Sequence, residues 1–509
     1  LCLSFRMFTF LVVYILFIIP SGAKRYGFLK PSINHGMVID AGSTGSRMHV
    51  YQWEPRIYES VPPPITYPLE KSNWTQRMRP GISAFADNPN GLHTALAPLI
   101  HFAKEVLKGK EEFWPTYPIF LGATAGVREL PHDVQLTVIG KVRELFANKT
   151  FCPFMFEPQF ARVISGEEEG VFGWTAANFL MGTLQQAMLG VGTASGPETL
   201  STYGALDLGG GSTQITFFQH DQEILQNMFK LQIGGQKHVN LYTHSFLGYG
   251  HVASRVKMDQ KLVETSPSKT MIHDRCLPPG SYRYVEWNKV NYTLYGNDTN
   301  ADSCIKQIQA IFEKDSNVWC NFVYHNQCSF VDIYQPPINL EMNANHHFLG
   351  FSGFAKAFKL LKIYPGVEAS LTEIKDTLEP LCGMNTAELH QYSKQSPAIH
   401  KDDIESSGGI DNVCFFNAYV IALLNYGYGF DMSFVLMAQN TMYDLSISWA
   451  LGNVIYQLNS IFPWQYIPDM WWAYYSEKVI YTCVLLAIAN LIALPFSWRL
   501  IRKRKQRIY

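Results

Sequence analysis

The sequence has little charge and no excess of either sign. Only 16% of its 509 residues are charged, and the formal net charge is −1, whereas about a quarter of residues are charged in average soluble domains. This balance gives no support to nucleic acid as a partner. Apolar residues make up 47% of the chain, which excludes a disordered protein. At about 100–200 residues per domain, the length predicts two to four domains.

Several familiar catalytic motifs are also missing. The sequence contains neither GxxxxGKS nor GxxxxGKT, which excludes a P-loop nucleotide site. It contains no CxxC pair and no HExxH stretch, so no zinc site is predicted. Any phosphate chemistry must therefore use another arrangement of donors.

The cysteines indicate an oxidising compartment. Six of the nine lie after residue 270, at Cys276, Cys304, Cys320, Cys328, Cys382 and Cys414. An even, clustered set of this kind is typical of disulfides, and three bridges are expected, with Cys152 left as an odd thiol. Four glycosylation triplets, at Asn73, Asn148, Asn291 and Asn297, are compatible with the same compartment.

Apolar runs at both ends predict contact with a membrane. Residues 479–498 carry no charge and, as a helix, would span about 30 Å of bilayer. The basic residues of 499–509 predict a cytosolic tail. Residues 1–23 read equally well as a signal peptide or an N-terminal anchor, and either places residues 24–478 outside the cytosol. Residues 7–498 hold 34 basic and 42 acidic residues, a net charge of −8.

One supersecondary unit occurs twice. Residues 36–51 and 204–218 each form an apolar run to an aspartate, Asp40 or Asp207, followed by a small-residue turn and a second apolar run. Each pattern predicts a strand, a glycine turn and a second strand. The repeat indicates two similar lobes facing each other. Helices are predicted near 90–108, 132–147 and 168–182, and loops at 61–68 and 190–201.

The two turns have the composition of a phosphate site. Glycine lets backbone amides approach an anion without a Cβ in the way. The neighbouring donors are Ser43, Thr44, Ser46 and Arg47 in the first turn and Ser212, Thr213 and Gln214 in the second. Because Asp40 and Asp207 would repel phosphate, we expect a divalent cation, Mg²⁺ or Ca²⁺, between them.

A third segment supplies a candidate base. In ISGEEEGVFGW (164–174), Ser165 and Glu168 form a capping-box pattern. Glu169 is not needed for capping, and the positive end of the helix would keep its carboxylate ionised. Such a carboxylate could take a proton from attacking water.

At these residues the sequence resembles the ecto-nucleoside triphosphate diphosphohydrolase (apyrase) family, in a membrane-bound form. The motifs are DAGSTGSR (40–47), ATAGVR (123–128), ISGEEEGVFGW (164–174), LDLGGGSTQI (206–215) and SWALGNVI (448–455). The resemblance implies an α/β, actin-like fold with duplicated RNase H-like domains. Lobe I would be 34–165, completed by 440–465, and lobe II would be 166–439. It also implies disulfides Cys276–Cys304, Cys320–Cys328 and Cys382–Cys414.

The resemblance further implies hydrolysis of nucleoside tri- and diphosphates with Ca²⁺ or Mg²⁺. Glu169 would be the general base, and Asp40, Asp207 and Trp449 would hold the metal through waters. The phosphate-binding residues it implies are Ser43, Thr44, Gly45, Ser46, Arg47, Thr124, Arg128, Gly210, Gly211, Ser212 and Gln214. The chain has FSGFAK at 351–356 where surface members carry FxxFYY, so base selectivity is open, with Lys356 and Arg255 as candidates.

Other readings stay open at this point. A diphosphate-preferring nucleotidase of an organelle lumen is one, and the host membrane could be the plasma membrane or the Golgi. A kinase or chaperone-type ATPase of the same fold would work in the cytosol, which conflicts with the predicted topology. An inactive nucleotide-binding receptor is opposed by the intact Asp40, Asp207 and Glu169. The sequence leaves homo-oligomerisation undecided.

Overall fold

A computed structural model describes most of the chain between residues 34 and 462. The described residues are 34–58, 61–189, 202–219, 224–236, 238–266, 270–314, 318–324, 327–338, 347–396, 399–462, 465–466, 484–488, 493, 495, 498, 499 and 502. The predicted signal peptide or anchor, the predicted loop at 190–201 and most of segments 479–498 and 499–509 lie outside them. Among the described residues, no helix has both the length and the apolar content to cross a bilayer.

The chain divides into two compact units. The larger consists of Asn34–Trp53 and Ile65–Phe462, and the smaller of Leu1–Ile33, Glu54–Pro64 and Pro463–Tyr509. In the described part of the smaller unit, Ile57–Tyr58 pairs in parallel with Gln465–Tyr466. The two principal sheets and every candidate site residue belong to the larger unit.

The strands have between 2 and 10 residues, and those at the centre of the two principal sheets are the most buried. They are β1 (Asn34–Gly42), β2 (Gly45–Trp53), β3 (Ile57–Tyr58), β4 (Thr75–Met78), β5 (Ile119–Ala123), β6 (Ala161–Val163), β7 (Gly204–Leu208), β8 (Ser212–Phe218), β9 (Met228–Gln232), β10 (His238–Leu247), β11 (Met271–His273), β12 (Tyr282–Trp287), β13 (Val290–Tyr295), β14 (Phe348–Ser352), β15 (Glu368–Ser370), β16 (Val435–Ala438), β17 (Thr441–Met442), β18 (Leu445–Ser446) and β19 (Gln465–Tyr466).

The helices cover the sheet faces and connect the strands. The α-helices are α1 (Leu92–Val106), α2 (Ala125–Arg128), α3 (His132–Ala147), α4 (Gly166–Leu180), α5 (Leu184–Leu189), α6 (His251–Thr265), α7 (Ala301–Gln309), α8 (Val318–Val323), α9 (Gly353–Leu360), α10 (Leu371–Cys382), α11 (Thr386–Lys394), α12 (Lys401–Ser406), α13 (Val413–Ala422) and α14 (Trp449–Ser460). Helix α13 continues as a π-helix over Leu423–Tyr428. The predicted helices near 90–108, 132–147 and 168–182 are confirmed as α1, α3 and α4.

The larger unit is a mixed α/β, two-lobed structure with one principal sheet in each lobe. The first sheet has the order β4-β2-β1-β5-β6, and the second β15-β16-β14-β7-β8-β10-β9. Within each, an antiparallel hairpin stands at the centre, and its first strand has a parallel neighbour, β5 or β14. Ignoring β9 and β15, both sheets follow the chain order 3-2-1-4-5. The predicted repeat of one unit is confirmed.

Burial on both faces explains why β1 reads as a nearly continuous apolar run. Met37, Ile39 and Ala41 join a core that includes α1 and α3 residues, while Val38 joins a second core with α4 and α14. Helices α4 and α14 approach closely because position 452 is glycine. A Cβ there would lie 1.8 Å from the carbonyl oxygen of Phe172.

The predicted disulfides are confirmed. Cys276 is bonded to Cys304, Cys320 to Cys328 and Cys382 to Cys414. Cys152 is buried and unbonded, as expected for the odd thiol. All three bridges lie after residue 270 and staple the helices and loops that surround the second sheet.

Candidate active site

The two glycine turns face each other. A Cβ on Gly210, in the second turn, would lie 2.7 Å from Ser43 Oγ and 2.8 Å from Thr44 Cγ2 in the first. Only glycine permits this approach, because any side chain would collide with the opposite turn. The amides of His251 and Val252 at the start of α6 donate to the carbonyls of Gly209 and Gly210, both at 3.0 Å. Helix α6 therefore fixes the second turn.

Strand register places the two aspartates at equivalent positions. Asp40 on β1 stands opposite Arg47 on β2, and Arg47 stands opposite Arg77 on β4. We call these three residues the lobe I row. Because paired residues of neighbouring strands share a face of the sheet, their side chains lie side by side.

The second hairpin repeats the pattern with different side chains. Asp207 on β7 stands opposite Gln214 on β8, and Gln214 stands opposite Ser245 on β10. We call these three residues the lobe II row. Gln214 Nε2 donates to Ser245 Oγ at 2.8 Å and lies 3.1 Å from Glu169 Oε2. Hydrogen bonds therefore connect this row to the start of α4.

Glu169 lies in the first turn of α4, and its carboxylate is held by two donors. Arg128 Nη2 donates to Glu169 Oε2 at 2.7 Å, and Gln214 Nε2 also donates to that oxygen. The residue is only 7% exposed. Burial raises the pKa of Glu169, and the Arg128 guanidinium opposes that rise. A capping box of Ser165 and Glu168 begins the helix, as predicted.

Asp207 is a buried carboxyl with a raised pKa. It is 6% exposed, and burial, followed by the charge of Glu169, raises its pKa to about 8. Ser352 donates a hydrogen bond to it, but Asp207 Oδ1 is buried without a hydrogen-bond partner among the described residues. A buried carboxylate oxygen needs a partner. An oxygen-preferring divalent cation is a chemically suitable one.

Asp40 has a more balanced environment. Burial raises its pKa, while Arg47, His49 and a hydrogen bond from Trp449 act in the opposite direction. Asp40 also contributes to the raised pKa values of Asp207 and Glu169, so the three carboxyl groups share one region. Among the described residues, no group of three or more His, Cys, Asp or Glu side chains could hold a metal ion directly. This is compatible with contacts made through water.

Trp449 and Thr124 are positioned by close packing. Trp449 is the first residue of α14 and is 3% exposed. Its ring occupies the space beside Gly122, where a Cβ would lie 2.4 Å from Trp449 Cη2. The backbone amide of Thr124 donates to the Ala41 carbonyl at 3.1 Å. This bond joins the ATAGVR segment to the end of β1.

Ser46 and Arg255 differ from the other candidate residues in the surroundings of their side chains. Ser46 alternates with Arg47 along β2, so its side chain points to the opposite face, where Ser46 Oγ is buried without a partner among described residues. Arg255 is 3% exposed and ion-paired with Asp259 and Asp274. Its Nη2 forms both ion pairs, whereas its Nε and Nη1 are buried without a hydrogen-bond partner among the described residues.

The structure also adds residues that the sequence did not identify. Ser245, Arg77 and Ser352 reach the site through strand pairing or a hydrogen bond. Ser352 has a φ of 56°, a conformation that is costly for a non-glycine residue and often occurs at functional sites. Ser245 and Arg77 lie outside every motif named above, because they come from strands whose register the sequence does not reveal. Ser352 lies in the FSGFAK segment (351–356), but nothing in that segment predicts its contact with Asp207.

Comparisons with known proteins agree with this geometry. The model of the GDA1/CD39 (nucleoside phosphatase) family matches residues 28–469. "Probable apyrase 6" of Arabidopsis thaliana is 30% identical over 467 residues, covering 88% of this chain and 76% of that protein. "Golgi apyrase" of Saccharomyces cerevisiae is 26% identical over 469 residues, covering 82% and 69%.

A solved structure shares the fold. The crystal structure of nucleoside triphosphate hydrolases from Neospora caninum matches with a TM-score of 0.57 at 14% identity, covering 88% of this chain and 97% of that one. At this identity the likeness concerns the fold alone. Together with the family match across residues 28–469, these observations show that the chain is an enzyme of the GDA1/CD39 (nucleoside phosphatase) family.

Proposed function

We propose that this nucleoside phosphatase hydrolyses nucleoside 5′-triphosphates, diphosphates or both to the monophosphate, by direct attack of water on the terminal phosphorus. The observation that carries the proposal is the position of Glu169. Its carboxylate is held by Arg128 and Gln214, beside Asp207 and two facing glycine turns. Phosphoryl transfer in such a site is mainly positioning and charge neutralisation.

Glu169 takes the proton of the attacking water. A raised pKa makes a carboxylate a stronger base, while the Arg128 ion pair keeps it ionised. Gln214 orients the same carboxylate and, through Ser212 and Ser245, is itself fixed. In this scheme Gln214 of the lobe II row positions Glu169, the base. Water attacks the phosphorus directly, so no covalent phosphoenzyme forms.

The two turns bind the phosphate oxygens. The residues assigned to this role are Ser43, Thr44, Gly45, Ser46, Arg47, Thr124, Arg128, Gly210, Gly211, Ser212 and Gln214. For Ser46 the assignment rests on the motif alone, because its side chain lies on the other face of β2 and its backbone pairs with Ala41 of β1 and Met78 of β4. Arg47 supplies charge beside Asp40, and the backbone amides of the turns supply neutral donors.

Asp40, Asp207 and Trp449 are the residues that would hold Ca²⁺ or Mg²⁺ through water. Such a cation would neutralise charge on the phosphate oxygens. The unpartnered Asp207 Oδ1 and the indole donor on Asp40 support this set. Without a cation, burial and Glu169 raise the pKa of Asp207 to about 8. Asp207 must therefore release a proton before its carboxylate can hold the cation.

We also propose the finer fold assignment. The shared 3-2-1-4-5 strand order of the two sheets supports an actin-like arrangement of duplicated RNase H-like domains. Lobe I is then 34–165 with 440–465, and lobe II is 166–439. This division places the Asp40 hairpin and Trp449 in one lobe and the Asp207 hairpin and Glu169 in the other.

The catalytic unit works outside the cytosol in this proposal. Asn73, Asn148, Asn291 and Asn297 are all exposed, as glycosylation requires, and three disulfides lie in the same unit. The apolar segment 479–498 would anchor the chain in the plasma membrane or the Golgi. The likeness to the yeast protein named "Golgi apyrase" supports the second location without excluding the first.

A phosphate-release assay on the full-length protein tests the proposal. ATP, ADP, UDP, GDP and AMP are each supplied with Ca²⁺ or Mg²⁺, or with a chelator, and with no phosphate acceptor present. We expect release from tri- or diphosphates, none from AMP, and loss of release in the chelator that added cation restores. Release only after adding an acceptor, or nucleotide binding with no release, would contradict hydrolysis.

A further inference from the structure

Positive charge accumulates on the outer side of the lobe I row. Arg47 and Arg77 stand directly opposite each other on β2 and β4, an arrangement that is unfavourable unless an anion lies between the two cations. Arg77 Nη2 donates to Thr44 Oγ1 at 3.0 Å, which holds the guanidinium at the first glycine turn. Arg77 therefore lies beside the proposed phosphate site.

A further cation, Lys356, comes from the lobe II side, on the helix that follows β14, the strand beside β7. It lies on α9, four residues after Ser352, which donates to Asp207. Ser352 is the last residue of β14 and the N-cap of α9, so Lys356 lies in the first turn of the helix that follows it. Lys356 Nζ donates to the Ser406 carbonyl at 3.3 Å and lies 5.8 Å from the centre of the Phe416 ring. These contacts fix the ammonium group near the end of α12.

The surroundings of Lys356 are strongly cationic. Burial lowers its pKa to about 8, and the charges of Arg77, Arg47 and Arg79 act in the same direction. Asp403 opposes this effect, but its carboxylate is ion-paired at 2.7 Å with Lys359. Arg79 faces Glu405 at 3.9 Å. The acidic residues of α12 thus compensate the outer cations more closely than they compensate Lys356 and Arg77.

A neutral side chain, that of His251, lies near Lys356 and Arg77. His251, the first residue of α6, is 4% exposed, and burial with the nearby charges of Lys356 and Arg77 lowers its pKa well below the usual value. Its ring packs edge-on against Phe416 with centroids 5.0 Å apart. His251 Nδ1 is buried without a hydrogen-bond partner among the described residues. His251 therefore adds no positive charge to that of Lys356 and Arg77.

The direction of the reaction relates this cluster to the substrate. Water activated by Glu169 attacks the terminal phosphorus, and the leaving oxygen departs on the opposite side. The charge of Asp40 acts on Glu169, so the two lie in one region, and from Asp40 the lobe I row continues through Arg47 to Arg77. The leaving group of a nucleotide is itself a phosphate, on which negative charge develops. A cationic site beyond Asp40 is where that charge would be stabilised.

We propose that Lys356 and Arg77 bind the inner phosphate of the nucleotide, the one that becomes the leaving group, and thereby select substrates with a phosphate at that position. The proposal rests on the proposed nucleotide hydrolysis and extends it to two residues outside the five motifs. It assigns Lys356 to a phosphate and not to the nucleobase.

Two measurements on Lys356→Met test the assignment, with Lys359→Met as the matched control on the same helix. The first is kcat/KM for the best nucleoside diphosphate. The second is the Kd of tripolyphosphate, which carries inner phosphates but no nucleoside, measured by calorimetry in a Glu169→Gln background to prevent turnover. Arg77→Met provides a second variant, and thermal unfolding checks that each protein is folded.

We expect Lys356→Met to lower kcat/KM by roughly 10- to 100-fold, the value of a charge-assisted hydrogen bond, and to weaken tripolyphosphate binding by a similar factor. Lys359→Met should change each value less than twofold. An unchanged tripolyphosphate Kd with a reduced kcat/KM would assign Lys356 to the nucleoside and overturn the proposal. No effect on either, or no binding of tripolyphosphate to the unsubstituted Lys356 protein, would overturn it too. Failure of nucleotide hydrolysis itself would appear separately, as no release by the wild-type enzyme.

Discussion

The two glycine hairpins have the same register and different chemistry. In one, Asp40 is followed across the sheet by Arg47 and Arg77; in the other, Asp207 is followed by Gln214 and Ser245. The acids are equivalent in position, but the lobe I row is cationic and the lobe II row is neutral. The repeated hairpin thus explains the equivalent positions of the side chains, and the different residues at those positions explain the different chemistry of the two rows.

The neighbours of each aspartate explain the difference in their acidity. Arg47 stands beside Asp40 and opposes the rise of its pKa, whereas Asp207 has Glu169 as its strongest charged neighbour, which raises its pKa further. Arg47 and Arg77 give the lobe I row positive charge that attracts anions. Asp207 of the lobe II row lies near Glu169, whose charge disfavours ionisation of Asp207. A substrate phosphate and a cation between the two rows would satisfy both.

The largest kinetic difference between the two rows is expected when the middle residue of each, Arg47 or Gln214, is replaced by methionine. Gln214→Met removes a donor from Glu169 and breaks contacts with Ser212 and Ser245, so kcat should fall roughly 10- to 100-fold with little change in KM. Arg47→Met should mainly raise KM, by about tenfold, because it removes charge that binds phosphate. Steady-state kinetics of phosphate release measure both values.

The control for this pair is Gln76→Met, one residue from Arg77 on β4 and on the opposite face of the strand. It should leave kcat and KM within twofold of the wild type. If Arg47→Met and Gln214→Met lowered kcat and raised KM in the same proportion, the rows would not have the separate roles assigned to them.

A smaller effect is expected on stability as pH changes. The unfolded chain releases the Asp207 proton near pH 4, but in the folded, cation-free protein the pKa is raised to about 8 by burial and Glu169. Between these values the folded state binds more protons, so its stability falls as pH rises. We expect the Tm of cation-free protein to fall by several degrees from pH 5 to pH 8.

Asp207→Asn should flatten that dependence, because it removes a buried group whose pKa is raised to about 8, and exposed Asp133→Asn should leave it unchanged. Thermal unfolding at a series of pH values measures the slope. A slope in Asp207→Asn equal to that of the wild type would place the pH dependence elsewhere. The expected slope for an Asp40→Asn variant is intermediate, because Arg47 partly compensates Asp40.

Much of the site could be predicted from sequence because local motifs encode it. Each glycine turn, its preceding aspartate and the capping box at Ser165 depend on residues within one short segment. The three helices were predicted from periodicity and capping for the same reason. The pairing of the six cysteines, by contrast, was inferred only from the resemblance and was then confirmed.

What the sequence could not supply depends on contacts between distant segments. Arg77 and Ser245 reach the aspartate rows only through the register of β4 and β10, and register is not readable from composition. Ser46 looked equivalent to its neighbours, but strand alternation turns its side chain away. Arg255 is buried and forms ion pairs with Asp259 and Asp274, and the pair with Asp274 joins segments that the sequence does not show to be neighbours.

The central claim is that Glu169, held by the lobe II row, activates the attacking water. The most direct measurement is kcat for phosphate release by Glu169→Gln, beside Glu167→Gln in the same helical turn. The account predicts that kcat falls roughly 10²- to 10⁴-fold in Glu169→Gln, with nucleotide binding and Tm retained, and stays within about twofold in Glu167→Gln. A folded Glu169→Gln enzyme that kept more than about a tenth of wild-type kcat would contradict it.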